Sequence, residues 1–253
     1  MTQLAGSLVD KTVIVTGAAA GVGAVLAARF AAEGCQVLLA DQAEAPLRLT
    51  AAAIPGARWA VADVADLDDC VRLAGQAQGA WGRIDVLISA ASLLKTGPLE
   101  DLGPDDLRQV MDVNLVGYYN CVKAVAPIMR LQGSGCVIQI NSEAGKQGSS
   151  LNGVYAASRF AGLGLTQSLA RELAEVPIRV NAICPRDNST DLTCPLPTPH
   201  RRGSSDLVQS IPSPLKRITP GSDVADLAVF LASDLASQVT GQAIDLAGAE
   251  PGA

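Results

Sequence analysis

The stretch "VTGAAAGVGAVLAARFA", residues 15–31, decides the reading of this chain. It begins at the end of a short β-branched run, "TVIVT" (12–16), and runs into an alanine- and leucine-rich segment with helical spacing. Gly17, Gly21 and Gly23 lie between the two. Glycines so placed permit a tight turn, a close approach of backbone to a bound group, and packing of the helix on the sheet. The new helix then offers unpaired N–H groups and the positive end of its dipole to a phosphate. Such a turn between strand and helix is the mark of dinucleotide binding. The following strand, "QVLLAD" (36–41), ends in Asp41, where a carboxylate accepts both hydroxyls of an adenosine ribose and repels a 2′-phosphate. No Lys or Arg stands in the turn or directly after Asp41, so NAD is expected over NADP. Asp41 could equally cap the helix after it. Asp63, closing "RWAVAD", invites the same pair of readings, a contact to adenine or a helix cap.

Outward from this turn the pattern repeats. Apolar runs at 58–63, 84–90, 135–141, 178–184 and 242–247 join the first two, with helical stretches such as 22–33, 106–131 and 152–175 between them. Near-continuous apolar strands alternating with helices predict an α/β fold, a seven-stranded parallel sheet covered by helices on both faces. Right-handed crossovers make it doubly wound. All 253 residues are expected to form a single domain. Within it, 186–221 is rich in Pro, Ser and Thr and long for a loop, so it reads either as a lid over the substrate or as an insertion without function.

Composition narrows the function. The chain is 49% hydrophobic and carries a net charge of −6, with its basic residues scattered, which argues against nucleic acid as a partner. The N-terminus lacks a basic region followed by an apolar one, and no apolar run has membrane-spanning length. A cytoplasmic protein without membrane contact is expected. Six cysteines without a CxxC pair read as buried thiols, and one histidine, His200, excludes a His-rich metal site. No metal is expected.

Four further residues carry chemistry. "YAASR" (155–159) puts Tyr155 and Arg159 one turn apart on a helix face. A tyrosine serves as acid or base near neutrality only beside a cation that favours its ionised form. Ser142 follows a strand, where its hydroxyl can polarise a substrate oxygen. Asn114 falls inside a helical stretch, where its amide calls for a backbone or water contact.

Taken together, "TGAAAGVG", "DVNLVG", "INSEAG", "YAASR" and "RVNAICP" resemble the short-chain dehydrogenase/reductase family along nearly the whole chain. Two stretches, "VNLVGYYNC" and the one from "IQINSEAG" through "YAASRFAGLGLTQSLA", resemble its sorbitol-6-phosphate dehydrogenase branch. The resemblance implies a single NAD(P)-binding Rossmann domain, 1–253, with Asn114, Ser142, Tyr155 and Arg159 as the catalytic tetrad. It carries Gly17, Gly21, Val22, Gly23, Asp41, Asp63, Val64, Ala90, Tyr155, Arg159 and Thr190 to cofactor contacts. It further implies a homodimer or homotetramer paired through the helices at 106–131 and 152–175. The expected reaction interconverts a secondary alcohol and a ketone on a polyol-like or specialised-metabolite substrate.

The chain also departs from that family. Arg159 stands where lysine is usual, keeping the charge but unable to relay a proton. Arginine supplies 14 of the 19 basic residues, so its presence at 159 follows a preference of the whole chain. The family's Asn-Asn-Ala-Gly is Ser89-Ala90-Ala91-Ser92, and its Pro-Gly is Pro185-Arg186. These changes leave open a non-redox enzyme (dehydratase, cyclase or epimerase) or a non-catalytic NAD-binding subunit. Arg186, His200, Arg201 and Arg202 would suit an anionic substrate, or form an ordinary solvated basic loop.

Overall fold

Residues 8–186 and 219–248 are described by the computed structural model. Seven strands form one parallel sheet: β1 (Thr12–Thr16), β2 (Gln36–Asp41), β3 (Arg58–Val61), β4 (Val86–Ser89), β5 (Gly135–Ile140), β6 (Ile178–Pro185) and β7 (Ala243–Leu246). Their order across the sheet is β3-β2-β1-β4-β5-β6-β7, as expected for a doubly wound fold. The order reverses between β1 and β4, and the crevice beyond their C-terminal ends is where ligands of such sheets sit. Both the glycine turn and the Ser89–Ser92 segment emerge at that crevice.

The central strands are apolar throughout because both of their faces are buried, and side-chain alternation sends successive residues to different cores. Val13 and Val15 of β1 join a cluster with Leu26 and Phe30 of α1 (Gly21–Ala32), Leu47 of α2 (Glu44–Ala52), and Val224 and Ala228 of a late helix, Gly221–Ala232. Ile14, between the two valines, joins the opposite core with Leu73 of α3 (Leu67–Trp81), and with Tyr118 and Met129 of a long helix that follows β4. β3 is the exposed edge, with Trp59 and Val61 partly open.

One expectation is corrected. The single helix anticipated over 106–131 is α4 (Pro104–Met111), a π-helical turn (Asp112–Val116) and α5 (Gly117–Gln132). The π turn adds a residue to the winding, a feature that often marks functional positions, and Asn114 is buried at its centre. The later helices are α6 (Gly153–Leu173) and α7, the late helix already mentioned. β3 stops at Val61, so Asp63 lies in the turn after it.

Thr190, His200, Arg201, Arg202 and all but the ends of the expected lid at 186–221 lie outside the described residues. No helix among the described residues is long and apolar enough to cross a membrane.

Candidate active site

The glycine turn is built by contacts that admit no side chain. Gly17 has φ +68, and a Cβ there would lie 2.6 Å from the Ala91 backbone. A Cβ on Gly23 would fall 2.1 Å from the Gly17 carbonyl oxygen. Gly21 also adopts a positive φ, +59. Three hydrogen bonds tie the turn to β2 and α2. Ala18 N donates to Ala40 O (3.1 Å), Ala19 N to Asp41 Oδ2 (3.1 Å), and Thr50 Oγ1 to Ala19 O (2.8 Å). Asp41 Oδ1 accepts from Ala43 N (3.0 Å), so its carboxylate braces the turn on both sides and does not cap α2, whose N-cap is Ala43.

The N-terminus of α1 has no side-chain cap and no acidic residue in its first turn. Its leading N–H groups, at Gly21 and Val22, are therefore placed for an anion. Asp63 is occupied locally, with Oδ1 accepting from Ala65 N (2.9 Å). Val64 is buried against Gly117, and the carbonyls of Val64 and Ala65 accept from Asn120 Nδ2.

The four residues expected to carry catalysis come from three elements. Ser142 follows β5 and caps a short turn, with Oγ accepting from Ala144 N (3.2 Å) and its own hydroxyl hydrogen left to donate. Tyr155 and Arg159 lie on α6. The Arg159 guanidinium stacks over the Tyr155 ring, its carbon 4.8 Å from the ring centre, the geometry of a cation–π contact.

Asn114 makes the backbone contact its sequence position called for. Its amide exchanges two hydrogen bonds with Leu93, N to Oδ1 at 2.7 Å and Nδ2 to O at 2.9 Å. Nδ2 also donates to Ser158 Oγ (2.9 Å), which donates to the Tyr155 carbonyl (2.7 Å). Asn114 thereby clamps the segment after β4 to the first turn of α6.

Arg159 is the unusual member. It is 3% exposed, and among the described residues no carboxylate pairs with it. Nη1 donates to Ile140 O (3.2 Å), Nη2 donates to Ser92 Oγ, and Nε finds no hydrogen-bond partner among the described residues. A buried charge with an idle donor is costly unless something bound completes it.

A second set of polar residues went unread in the sequence. Asn141 accepts from Ser142 N through Oδ1 (2.7 Å), and its Nδ2 donates to Gln139 Oε1 (2.9 Å) and Arg159 O (3.1 Å). Thr166 Oγ1 donates to the same Gln139 oxygen (3.3 Å) and pairs with the Tyr118 hydroxyl (3.1 Å). Two glycines leave space for this network, since a Cβ on Gly145 or Gly162 would lie 2.5 Å from the Asn141 or Gln139 amide. Nearby, Arg186 Nε meets Glu143 Oε2 at 3.0 Å.

The glycine turn, the uncapped α1 and a tyrosine beside a buried cation lie in a chain whose residues 11–199 match the family model described as "short chain dehydrogenase". The chain belongs to this family. Similar proteins are the 3alpha-hydroxysteroid dehydrogenase of Mediterraneibacter gnavus, 33% identical over 251 residues (96% of this chain, 97% of that one), and the 3-oxoacyl-(acyl-carrier-protein) reductase FabG of Staphylococcus epidermidis, 34% identical over 246 residues (94% and 98%). Among solved structures, levodione reductase superposes with a TM-score of 0.86 at 30% identity, covering 95% of this chain and 97% of that one. The sheet and helices of this chain are thus those of its family, whose members use NAD(H) or NADP(H).

The residues present fit such a cofactor on three counts. They are the uncapped helix start, the turn that only glycine can form, and the idle buried Nε of Arg159.

Proposed function

We propose that this dehydrogenase interconverts a secondary alcohol and a ketone with NAD(H). One observation carries the reading: a buried guanidinium, without a carboxylate partner among the described residues, lies over the Tyr155 ring. When bound, the nicotinamide supplies or accepts the hydride. Tyr155 gives its phenolic proton to the carbonyl oxygen in reduction and takes it back in oxidation. Ser142 donates a second hydrogen bond to that oxygen as its charge develops. Arg159 lies over the Tyr155 ring and offers its Nε–H to the cofactor ribose, while Asn114 holds the segment after β4. Gly17, Gly21, Val22 and Gly23 hold the phosphates, Asp41 the adenosine ribose, and Asp63, Val64 and Ala90 the adenine side, with Thr190 meeting the carboxamide. Asp41, with no cation beside it in sequence, supports NAD over NADP.

Arg186 is engaged by Glu143, which removes one expected partner for a phosphate and supports an uncharged ketone. The hydroxysteroid and levodione relatives are named for ketone or alcohol chemistry of that kind. The sorbitol-6-phosphate likeness keeps polyol-like ketoses in the panel, beside cyclic specialised metabolites.

The outward faces of α5 and α6 expose Tyr119 and Phe160, which supports pairing into a homodimer or homotetramer. The five described cysteines are free thiols, in keeping with a reducing, cytoplasmic setting. The test is NADH oxidation against a panel of cyclic ketones and ketose phosphates. Turnover by wild type that Tyr155→Phe abolishes supports the reading. NADH binding without turnover of any ketone moves it to a non-redox or non-catalytic role.

A further inference from the structure

Two departures from the family pattern, 67 residues apart in sequence, touch each other. Serine stands at 92 where glycine is usual, arginine stands at 159 where lysine is usual, and Arg159 Nη2 donates to Ser92 Oγ. We propose that Ser92 is the positioning residue for Arg159, so that the two side chains act as one unit: the hydroxyl holds the guanidinium over the Tyr155 ring and leaves Nε–H for the cofactor. The proposal deepens the redox reading of the same site and rests on it.

Two features make Ser92 a rigid anchor. Ala91, before it, packs against Gly17 so closely that a single Cβ would collide. Leu93, after it, has both backbone polar groups held by the buried amide of Asn114. Ser92 is thus fixed from both sides, although its side chain stands at the surface of the cleft. Arg159 in turn is held at two points, Ile140 O and Ser92 Oγ, and a planar fork held at two points has one orientation. Removing the hydroxyl leaves the Ile140 carbonyl as the one hydrogen bond of the guanidinium among the described residues and frees the group to rotate off the ring. A lysine at 159 ends one bond short of Nη2, so it has no use for the serine.

This asymmetry defines the experiment. Wild type, Ser92→Gly, Arg159→Lys and Ser92→Gly/Arg159→Lys are compared by NADH dissociation constant, read from fluorescence, and by kcat and KM on any ketone turned over. With arginine at 159, Ser92→Gly is expected to weaken NADH binding and lower kcat about tenfold each, within the range over which contacting side chains couple. With lysine at 159, the same change is expected to cost less than about twofold. Ser92→Thr keeps the hydroxyl and is expected to restore wild-type values.

A merely structural serine would cost the same in both backgrounds, and equal penalties overturn the proposal. Failure of all four proteins to bind NADH overturns it too, since the pair then holds nothing. Coupling in NADH binding without turnover of any ketone upholds the pair and refutes the redox reading, which separates the two claims.

Discussion

Replacing Gly23 by alanine tests how tightly the glycine turn is built. Gly23 has ordinary helical geometry, so the change brings no backbone strain and even a slight gain in helix propensity. The whole penalty is steric. The new methyl would sit 2.1 Å from Gly17 O and 2.7 Å from Gly17 C, against ordinary contact at 3.4 Å or more, so the turn must open by more than an ångström. It cannot do so cheaply, because the bonds from Ala18 N, Ala19 N and Thr50 Oγ1 pin it to β2 and α2. Overpacking of this kind costs about 1–3 kcal/mol, and each lost hydrogen bond adds about 1 kcal/mol. With two of the three bonds lost, the sum is about 3–5 kcal/mol, a fall in Tm of roughly 10 °C for a chain of this length.

The control is the same substitution elsewhere. Gly75 and Gly79 lie on the open face of α3, where an added Cβ meets nothing within 4 Å. Gly75→Ala and Gly79→Ala are expected to stabilise by about 0.5–1 kcal/mol each. Differential scanning fluorimetry reads all three, and NADH titration reads the first, for which binding should fall at least about tenfold. A Gly23→Ala protein with wild-type Tm and NADH affinity would refute the steric argument.

Other outcomes follow from the same structure. Asn114→Ala strands the two backbone groups of Leu93, each at a cost of about 1–3 kcal/mol if it stays unsatisfied, and urea midpoints should show the loss even without cofactor. Asp85 is buried and accepts from Thr12 N (2.9 Å), so Asp85→Ala strands that buried N–H and should destabilise by about 1–3 kcal/mol in the same assay. Burial pushes the thiols of Cys136 and Cys184 up to about 11 and that of Cys35 up to about 12, so native alkylation at neutral pH, followed by mass spectrometry, should leave all three unmodified. The unfolded thiols ionise near pH 9 and the folded ones later, so stability is full below pH 9 and drains away toward pH 11; Cys136→Val should flatten that alkaline slope. The Asp106 carboxyl is held below its usual range by Lys95 Nζ and then Gly103 N, so its small contribution is present near neutrality and lost as pH falls through the carboxylate range, a slope that Asp106→Asn removes.

The sheet was legible because its central strands are apolar runs buried on two faces, and the ends of β1 and β2 match the structure residue for residue. The site was legible as residue types, but its wiring was not. Nothing local in "DVNLVG" announces a π turn, since its apolar spacing suits either winding. The Asn114 clamp on Leu93 and the Ser92–Arg159 bond join residues 21 and 67 apart, and such pairings arise only when the strands bring loop ends to one crevice. Ser92 was visible as a misfit, while its partner could be found only in three dimensions. Asn141 and Gln139 passed as ordinary strand residues, because alternation shows which face a side chain takes and not that both amides lie buried against α6.

The π turn also determines where this protein tolerates a change in chain length. A π turn spends one residue more than an α turn on the same rotation, so α4 and α5 keep the phase that a regular α-helix one residue shorter would give them. On the α5 side, Tyr118, Cys121, Val122, Val125 and Met129 would therefore keep their core if one residue within 112–116 were deleted. What such a deletion would displace is Asn114, with its bonds to Leu93 and Ser158. The extra residue thus serves the site and not the helical faces. A one-residue deletion there should spare the packing of both helices and cost the Asn114 clamp, whereas one at Gly56, in the turn between α2 and β3 where an added Cβ meets nothing, touches neither.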